Sequence, residues 1–211
     1  MYPRDFRLNK NVKNCIAVLL KYYRKQLKMK QKDFITYNNA LICSMDSYSR
    51  IENLHPIKSD SIYIYLLHQI GATIEYDPAF WANLQPLFEQ LLHDVTFYHI
   101  HNLQKTALKI KKLLPTDSSD IFVKEILDLC DLIPNYYAKC SDMSEEQFDK
   151  YMALLDIFTK PLKEIIKDML FTYTVHRTRN AKKEQEIFEF LKINESDTPL
   201  NILNRSYMHF Y

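Results

Sequence analysis

Along nearly the whole chain, apolar residues recur every three to four positions, the spacing of amphipathic helices rather than of strands. Between Asn11 and Lys28, the residues Cys15, Ile16, Leu19, Leu20, Tyr23 and Leu27 share one broad face. Lys13, Lys21, Arg24, Lys25 and Lys28 lie largely elsewhere, so this stretch reads as the first helix. A second, short helix is expected from Gln31 to about Tyr37. A third runs from Ser44 to Asn53, with Ser44 as its N-cap and Tyr48 and Ile51 turned inward. The stretch Leu54-His55-Pro56-Ile57-Lys58 reads as a loop. Ser59 or Asp60 then caps a fourth helix, "SIYIYLLHQI", which Gly71 terminates.

Past a connector over residues 72–78, further helices are expected at about 79–94, 96–114, 119–133, 145–157, 159–174, 182–192 and 197–207. Pro86 is expected to kink or split the first of these, and Pro134 to end the third. Asp117-Ser118-Ser119-Asp120 and Ser141-Asp142-Met143-Ser144-Glu145-Glu146 look like helix starts, with acids in the first turn. Paired helices joined by short loops predict helical hairpins or a bundle, a tetratricopeptide-like array being one candidate. The small-residue and glycine positions usual in such an array are not visible. The expected fold class is all-α, in two domains: residues 1–76 and residues 77–211.

Composition sharpens this picture at three points. Gly71 is the one glycine in 211 residues. Rossmann folds, phosphate-binding loops and tight hairpins all draw on glycine, so its scarcity favours helices. Charge is unevenly spread: residues 1–60 hold 12 Lys and Arg against 5 Asp and Glu, and the remainder 16 against 21. A basic front and an acidic back suggest different partners for the two parts. The four cysteines, Cys15, Cys43, Cys130 and Cys140, show no CxxC spacing. Neither a leader-like start at Met1-Tyr2-Pro3-Arg4-Asp5 nor an apolar run of about 20 residues is seen, so a cytoplasmic protein with reduced thiols and no membrane partner is expected.

Four pieces of the front end, in order, resemble the lambda-repressor-like helix-turn-helix family of the xenobiotic-response-element type. Ile16, Leu20, Tyr23 and Arg24 match its first helix. Met29 and Gln31-Lys32-Asp33-Phe34 match the start of its second. Ser44 to Asn53, closing on Ser-Arg-Ile-Glu, matches the third, and Ile70-Gly71-Ala72-Thr73-Ile74 matches the exit of the fourth. The resemblance covers residues 12–76 and implies a DNA-binding transcriptional regulator that works as a homodimer on two half-sites. Ser44, Met45, Asp46, Ser49 and Arg50 would then face the major groove, while Gln31 and Asn53 meet the phosphate backbone. Lys30, Lys32, Arg50 and Lys58 would add sequence-independent attraction. The resemblance also implies a helical C-terminal domain that dimerises, senses a signalling peptide or meets a protein partner.

Asp46 has two readings. It can accept a hydrogen bond from cytosine N4, or its charge can favour the helix N-terminus. The sequence also departs from the family. Lys28 stands at the usual glycine between the first two helices, and Lys30 at the usual Ser/Thr cap. Leu54 stands at the glycine that usually follows the third helix. The segment from Gln31 to Ser44 is about three residues longer than usual and lacks its turn glycine, with Asn38 or Asn39 available for a left-handed conformation.

No catalytic signature stands out, and no cofactor or metal is expected. His93, His99 and His101 cluster, but His99 and His101 face different ways on a helix, which argues against a shared metal. Phe80, Trp81, Phe88, Phe97, Tyr98, Tyr136, Tyr137, Tyr151, Phe158, Phe171 and Tyr173 make the back half aromatic: most as core, some for a groove or a dimer face. The rival expectation is a protein-interaction module, antitoxin-like or a scaffold, built on a helix-turn-helix that has drifted from DNA.

Overall fold

The computed structural model describes residues 8–75, 78–115, 117–139, 143–178 and 180–208. Met1 to Asp5, Asp77, Cys140, Ser141 and Asp142, on which parts of the sequence reading fall, lie outside the described residues. Among the described residues the protein is all-α apart from one two-stranded hairpin. The chain divides into two compact units: residues 1–75 with 118–124, and residues 76–117 with 125–211. No helix among the described residues is long and apolar enough to cross a membrane.

Unit 1 begins with α1 (Lys10–Gln26), whose Asn9 side chain accepts from the Val12 amide. Cys15, Ile16, Ala17, Leu19 and Leu20 bury the inner face of α1. Leu27, expected on that face, is the C-cap instead and is exposed. Then come α2 (Gln31–Phe34), the strands β1 (Thr36–Tyr37) and β2 (Ala40–Leu41), α3 (Met45–Glu52) and α4 (Asp60–Gln69). α1 packs on both α3 and α4. Tyr48, Ile51, Tyr63, Leu66 and Phe34 close the core at 0% exposure, the Phe34 and Tyr48 rings 5.5 Å apart.

The second helix is shorter than the sequence predicts. It stops at Phe34, and the extra residues fold into an antiparallel hairpin, Thr36 opposite Leu41 and Tyr37 opposite Ala40. Asn38 and Asn39 form its two-residue loop, with φ of 48° and 61°. Left-handed geometry at both loop positions is what the favoured hairpin turn requires, and Asn tolerates it better than other side-chain-bearing residues. Scarcity of glycine therefore did not exclude a hairpin here.

A segment distant in sequence completes unit 1. Thr73 bridges Asp120 in parallel fashion, the Thr73 amide donating to the Ser119 carbonyl at 2.7 Å and the Ile121 amide to the Thr73 carbonyl at 3.0 Å. Asp120, 1% exposed, accepts from the Glu75, Phe122 and Val123 amides. It thus caps α7 (Ile121–Lys139) and holds the end of the Thr73–Glu75 stretch.

Unit 2 contains α5 (Pro78–Thr96), α6 (Ile100–Leu113), most of α7, α8 (Glu145–Leu154), α9 (Lys160–Thr178), α10 (Ala181–Phe190) and α11 (Pro199–Met208). Ser144 opens α8 with a capping box: its hydroxyl accepts from the Gln147 amide, and the Gln147 side chain accepts from the Ser144 amide. α9 lies at the centre, against α5, α8, α10 and α11. Pro86 and Pro134 end nothing: α5 and α7 continue through them. Each proline removes one ladder hydrogen bond. In α7 the apolar face of Val123, Ile126, Leu129, Cys130 and Ile133 keeps the helix packed up to Pro134. Tyr136 and Tyr137, bonded to α9, hold the turn beyond it. Of the aromatics expected in the core, Phe88, Tyr151 and Phe171 are buried, whereas Phe97 and Tyr98 are exposed.

Candidate nucleic-acid interface

α3 has two unlike sides. Ser44 is its N-cap, and the Ser44 Oγ accepts from the Ser47 amide at 3.1 Å. Tyr48, Ile51 and Glu52 point inward. Met45, Asp46 and Arg50 are exposed and Ser49 is half-buried. Because Ser44 makes the capping bond, Asp46 contributes only charge to the first turn.

Glu52, the last residue of the Ser-Arg-Ile-Glu run, fixes this orientation. Arg24 of α1 grips it with both forks: Nε donates to Oε1 at 2.7 Å and Nη2 to Oε2 at 3.2 Å. Arg24 Nη1 also donates to the Met29 carbonyl at 2.9 Å, tying the α1–α2 link to the same point. Gln31 Nε2 donates to Glu52 Oε2 at 2.5 Å. Burial would raise the Glu52 pKa, but the hydrogen bonds from Arg24 and Gln31 and the charge of Arg24 outweigh it and hold the carboxyl below its ordinary value. The Tyr48 hydroxyl is buried beside this pair without a well-formed hydrogen bond, and burial, then the charge of Glu52, pushes its pKa up.

Gln31, expected at a phosphate, thus spends its amide nitrogen inside the unit. Lys30 and Lys32 flank it and are exposed, which places them by the C-terminal turn of α3. Asn53 is the exposed C-cap, its Nδ2 3.5 Å from Ser49 Oγ. Lys58 is exposed, while its carbonyl and that of Ile57 accept from buried Lys13, which also meets Asp60 at 2.6 Å.

Internal pairing decides the surface charge. Glu52 and Asp60 are neutralised by Arg24 and Lys13. Among the described residues from 8 to 60, the exposed charges are Lys10, Lys25, Lys28, Lys30, Lys32, Arg50 and Lys58 against Asp33 and Asp46. The exposed charge of residues 8–60 is thus basic, but little of it belongs to α3, which itself offers one exposed base and one exposed acid.

The backbone accounts for the missing glycines. Lys28 has φ of 54° and Leu54 of 61°, so both take the left-handed conformation that glycine adopts without a steric penalty. Both residues are therefore strained.

Outside unit 1, His93, Asp94 and His99 bring potential metal ligands within 4.8 Å of one another. The sequence reading missed this trio, because His99 caps α6 rather than lying within a helix. Both Asp94 oxygens already accept hydrogen bonds, from Gln90 at 2.8 Å and Thr106 at 2.7 Å. Asp94 accordingly ties α5 to α6 through Thr106. Cys130 is buried among apolar neighbours, and burial pushes its thiol up to about 12. No protein-family model, curated protein or solved structure matches the chain.

Proposed function

We propose that the protein is a transcriptional regulator of the lambda-repressor-like type, binding duplex DNA through unit 1. The observation that carries the reading is α3, clamped from behind by Tyr48, Ile51 and the Glu52–Arg24 pair and presenting Met45, Asp46 and Arg50 outward. A helix read by a groove must be fixed at its back and free at its front, with its N-terminal residues nearest the bases. The exposed lysines on both flanks supply phosphate attraction. In this reading Arg24, Gln31 and Glu52 position the helix, and Ser44, Met45, Asp46, Ser49 and Arg50 read or approach DNA. Unit 2 serves as the dimerisation or sensing part, and a two-fold assembly would place two α3 helices on successive half-sites. Selection of bound duplexes from a random pool at two salt concentrations tests the reading. Retention at low salt that weakens steeply at high salt is expected; no retention even at low salt rejects it.

A second reading has its own observation. Tyr37, Leu41 and Met45 expose large apolar surface, at 56, 68 and 43%. Hairpin tip and α3 start together would suit a protein partner, in a module no longer used on DNA. Replacing Tyr37 and Leu41 by serine leaves DNA retention unchanged under the first reading and abolishes partner capture under the second.

A further inference from the structure

Two carboxylates on α9, Glu164 and Asp168, one turn apart, meet two asparagines on α11. Asn201 Nδ2 donates to Glu164 Oε2 at 3.0 Å, and Asn204 Nδ2 to Asp168 Oδ1 at 3.0 Å. The two acids differ in one respect. Glu164 has Lys167 Nζ at 3.4 Å, whereas Asp168 has no cation against it among the described residues. Its other partner is the Tyr137 hydroxyl, donating at 2.5 Å to Oδ2.

Asp168 is 7% exposed. Burial strips a carboxylate of hydration, and neutral donors return hydrogen bonds but no charge. Each carboxylate oxygen keeps acceptor capacity beyond the single bond it receives here. The side chain lines a cavity of about 400 Å³ within unit 2, a volume in the range of small-molecule sites. Five aromatic side chains share the lining, Tyr98, Tyr136, Tyr137, Phe171 and Tyr207, together with aliphatic residues such as Val95, Val175 and Leu200 and the exposed His176. Tyr137 meets Tyr136 edge-on at 5.3 Å and Tyr98 at 6.4 Å, and Phe171 meets Tyr207 at 6.2 Å. Tyr98 and Leu203, also in the lining, are exposed, so the cavity opens to solvent.

One buried acid without an ion-pair partner among the described residues, in a cavity lined in part by aromatic rings, selects for one ligand chemistry. We propose that this cavity binds a small organic cation, a protonated amine whose ammonium group meets Asp168 and whose hydrocarbon body lies against the tyrosines. The site stands on unit 2 alone and is independent of DNA binding by unit 1.

Calorimetric titration of the full chain with 2-phenylethylamine, and with 2-phenylethanol as its neutral counterpart, tests the proposal. The amine is expected to bind at least about tenfold more tightly than the alcohol. Asp168→Asn, near-isosteric and uncharged, is expected to erase that preference. Leu203→Trp, at an exposed position of the lining, narrows the cavity while keeping the carboxylate and is expected to weaken the amine. Equal binding of amine and alcohol, binding of neither, or a full amine preference in Asp168→Asn overturns the proposal. If Asp168→Asn fails to fold, the wild-type comparison and Leu203→Trp decide, and an unchanged amine affinity in Leu203→Trp overturns it. Phenylalanyl-glycinamide, titrated alongside, tells whether the ammonium of a short peptide is accepted as well as that of a free amine.

Discussion

Arg24 and Glu52 are joined through two parallel hydrogen bonds, at 2.7 and 3.2 Å, across 28 residues of sequence. This one contact sets the rotation of α3 on α1, and Glu52 can pair with Arg24 only if Asp46 and Arg50 face out. Glu52→Ala leaves a guanidinium with its partner gone, and Arg24→Ala leaves a buried carboxylate. Each single change is expected to cost unit 1 about 1.5–3 kcal/mol, the range for hydrogen bonds to charged groups. The double variant should cost less than the sum of the two. Urea unfolding followed through unit 1 measures all three, and strictly additive losses would mean that the pair is not coupled.

The same pair predicts an acid response. The folded pKa of Glu52 lies below its ordinary 4.5. Stability from the pair is therefore fully present above 4.5 and is lost as pH falls through the folded value. Asp120 runs the other way. Burial, then the opposing hydrogen bonds from backbone amides, leaves its folded pKa above 3.8, so its contribution falls as pH rises through that raised value. Unfolding curves between about pH 3 and 7 should show Glu52→Gln losing part of the acid dependence and Asp120→Asn losing part of the opposite trend.

Left-handed backbone makes a separate forecast. A residue with a Cβ loses roughly 1–2 kcal/mol there, and the extra freedom of unfolded glycine gives back about 0.5–1 kcal/mol. Leu54→Gly is thus expected to stabilise unit 1 by about 0.5–1 kcal/mol, since the 44% exposed Leu54 side chain contributes little to the core. Asn39→Gly should act in the same direction but by less, since Asn already tolerates this geometry, and Asn-Gly is a favoured loop pair. Asn39→Ala should destabilise by about 1 kcal/mol. Thermal melts of the three variants check the sign.

For DNA, the positions separate into two classes. Lys30→Ala, Lys32→Ala and Lys58→Ala should each weaken retention on all sequences and lower the salt slope by about 1. Substitutions at Met45 and Asp46 should instead change which sequences are retained. Gln31→Ala should weaken binding only as far as it loosens Glu52, so its effect should track the loss of thermal stability. Measuring retention and melting on the same samples separates these outcomes.

How legible this was in the chain differs by element. α1, α3 and α4 announce themselves through apolar spacing, and the cap of α3 through Ser44, whereas Asn9, the cap of α1, lies two residues before the expected start at Asn11. The hairpin does not. Its strands are two residues long, too short for an alternation to show, and its loop uses asparagines in place of glycine. The inward side of α3 is readable from Tyr48 and Ile51. Gln31 turning to Glu52 is not, because a polar side chain near a surface has no periodic signature. Past Pro134, α7 is held by hydrogen bonds from Tyr136 and Tyr137 to α9, which no local rule carries. Asp120 could not be placed in unit 1 from spacing, since it lies 45 residues beyond its partner Glu75. The trio of His93, Asp94 and His99 was hidden by reading His99 as mid-helix.

The loan of residues 118–124 to unit 1 has a consequence for the chain as it is being made. A ribosome delivers Thr73 long before it delivers Ser119 and Asp120. Until those residues emerge, the Thr73 carbonyl and the Glu75 amide have only water as partners. Unit 1 is therefore not finished when its contiguous part leaves the tunnel. Its last strap arrives only after α5 and α6 have also been synthesised, so the two units mature with overlapping timetables rather than one after the other.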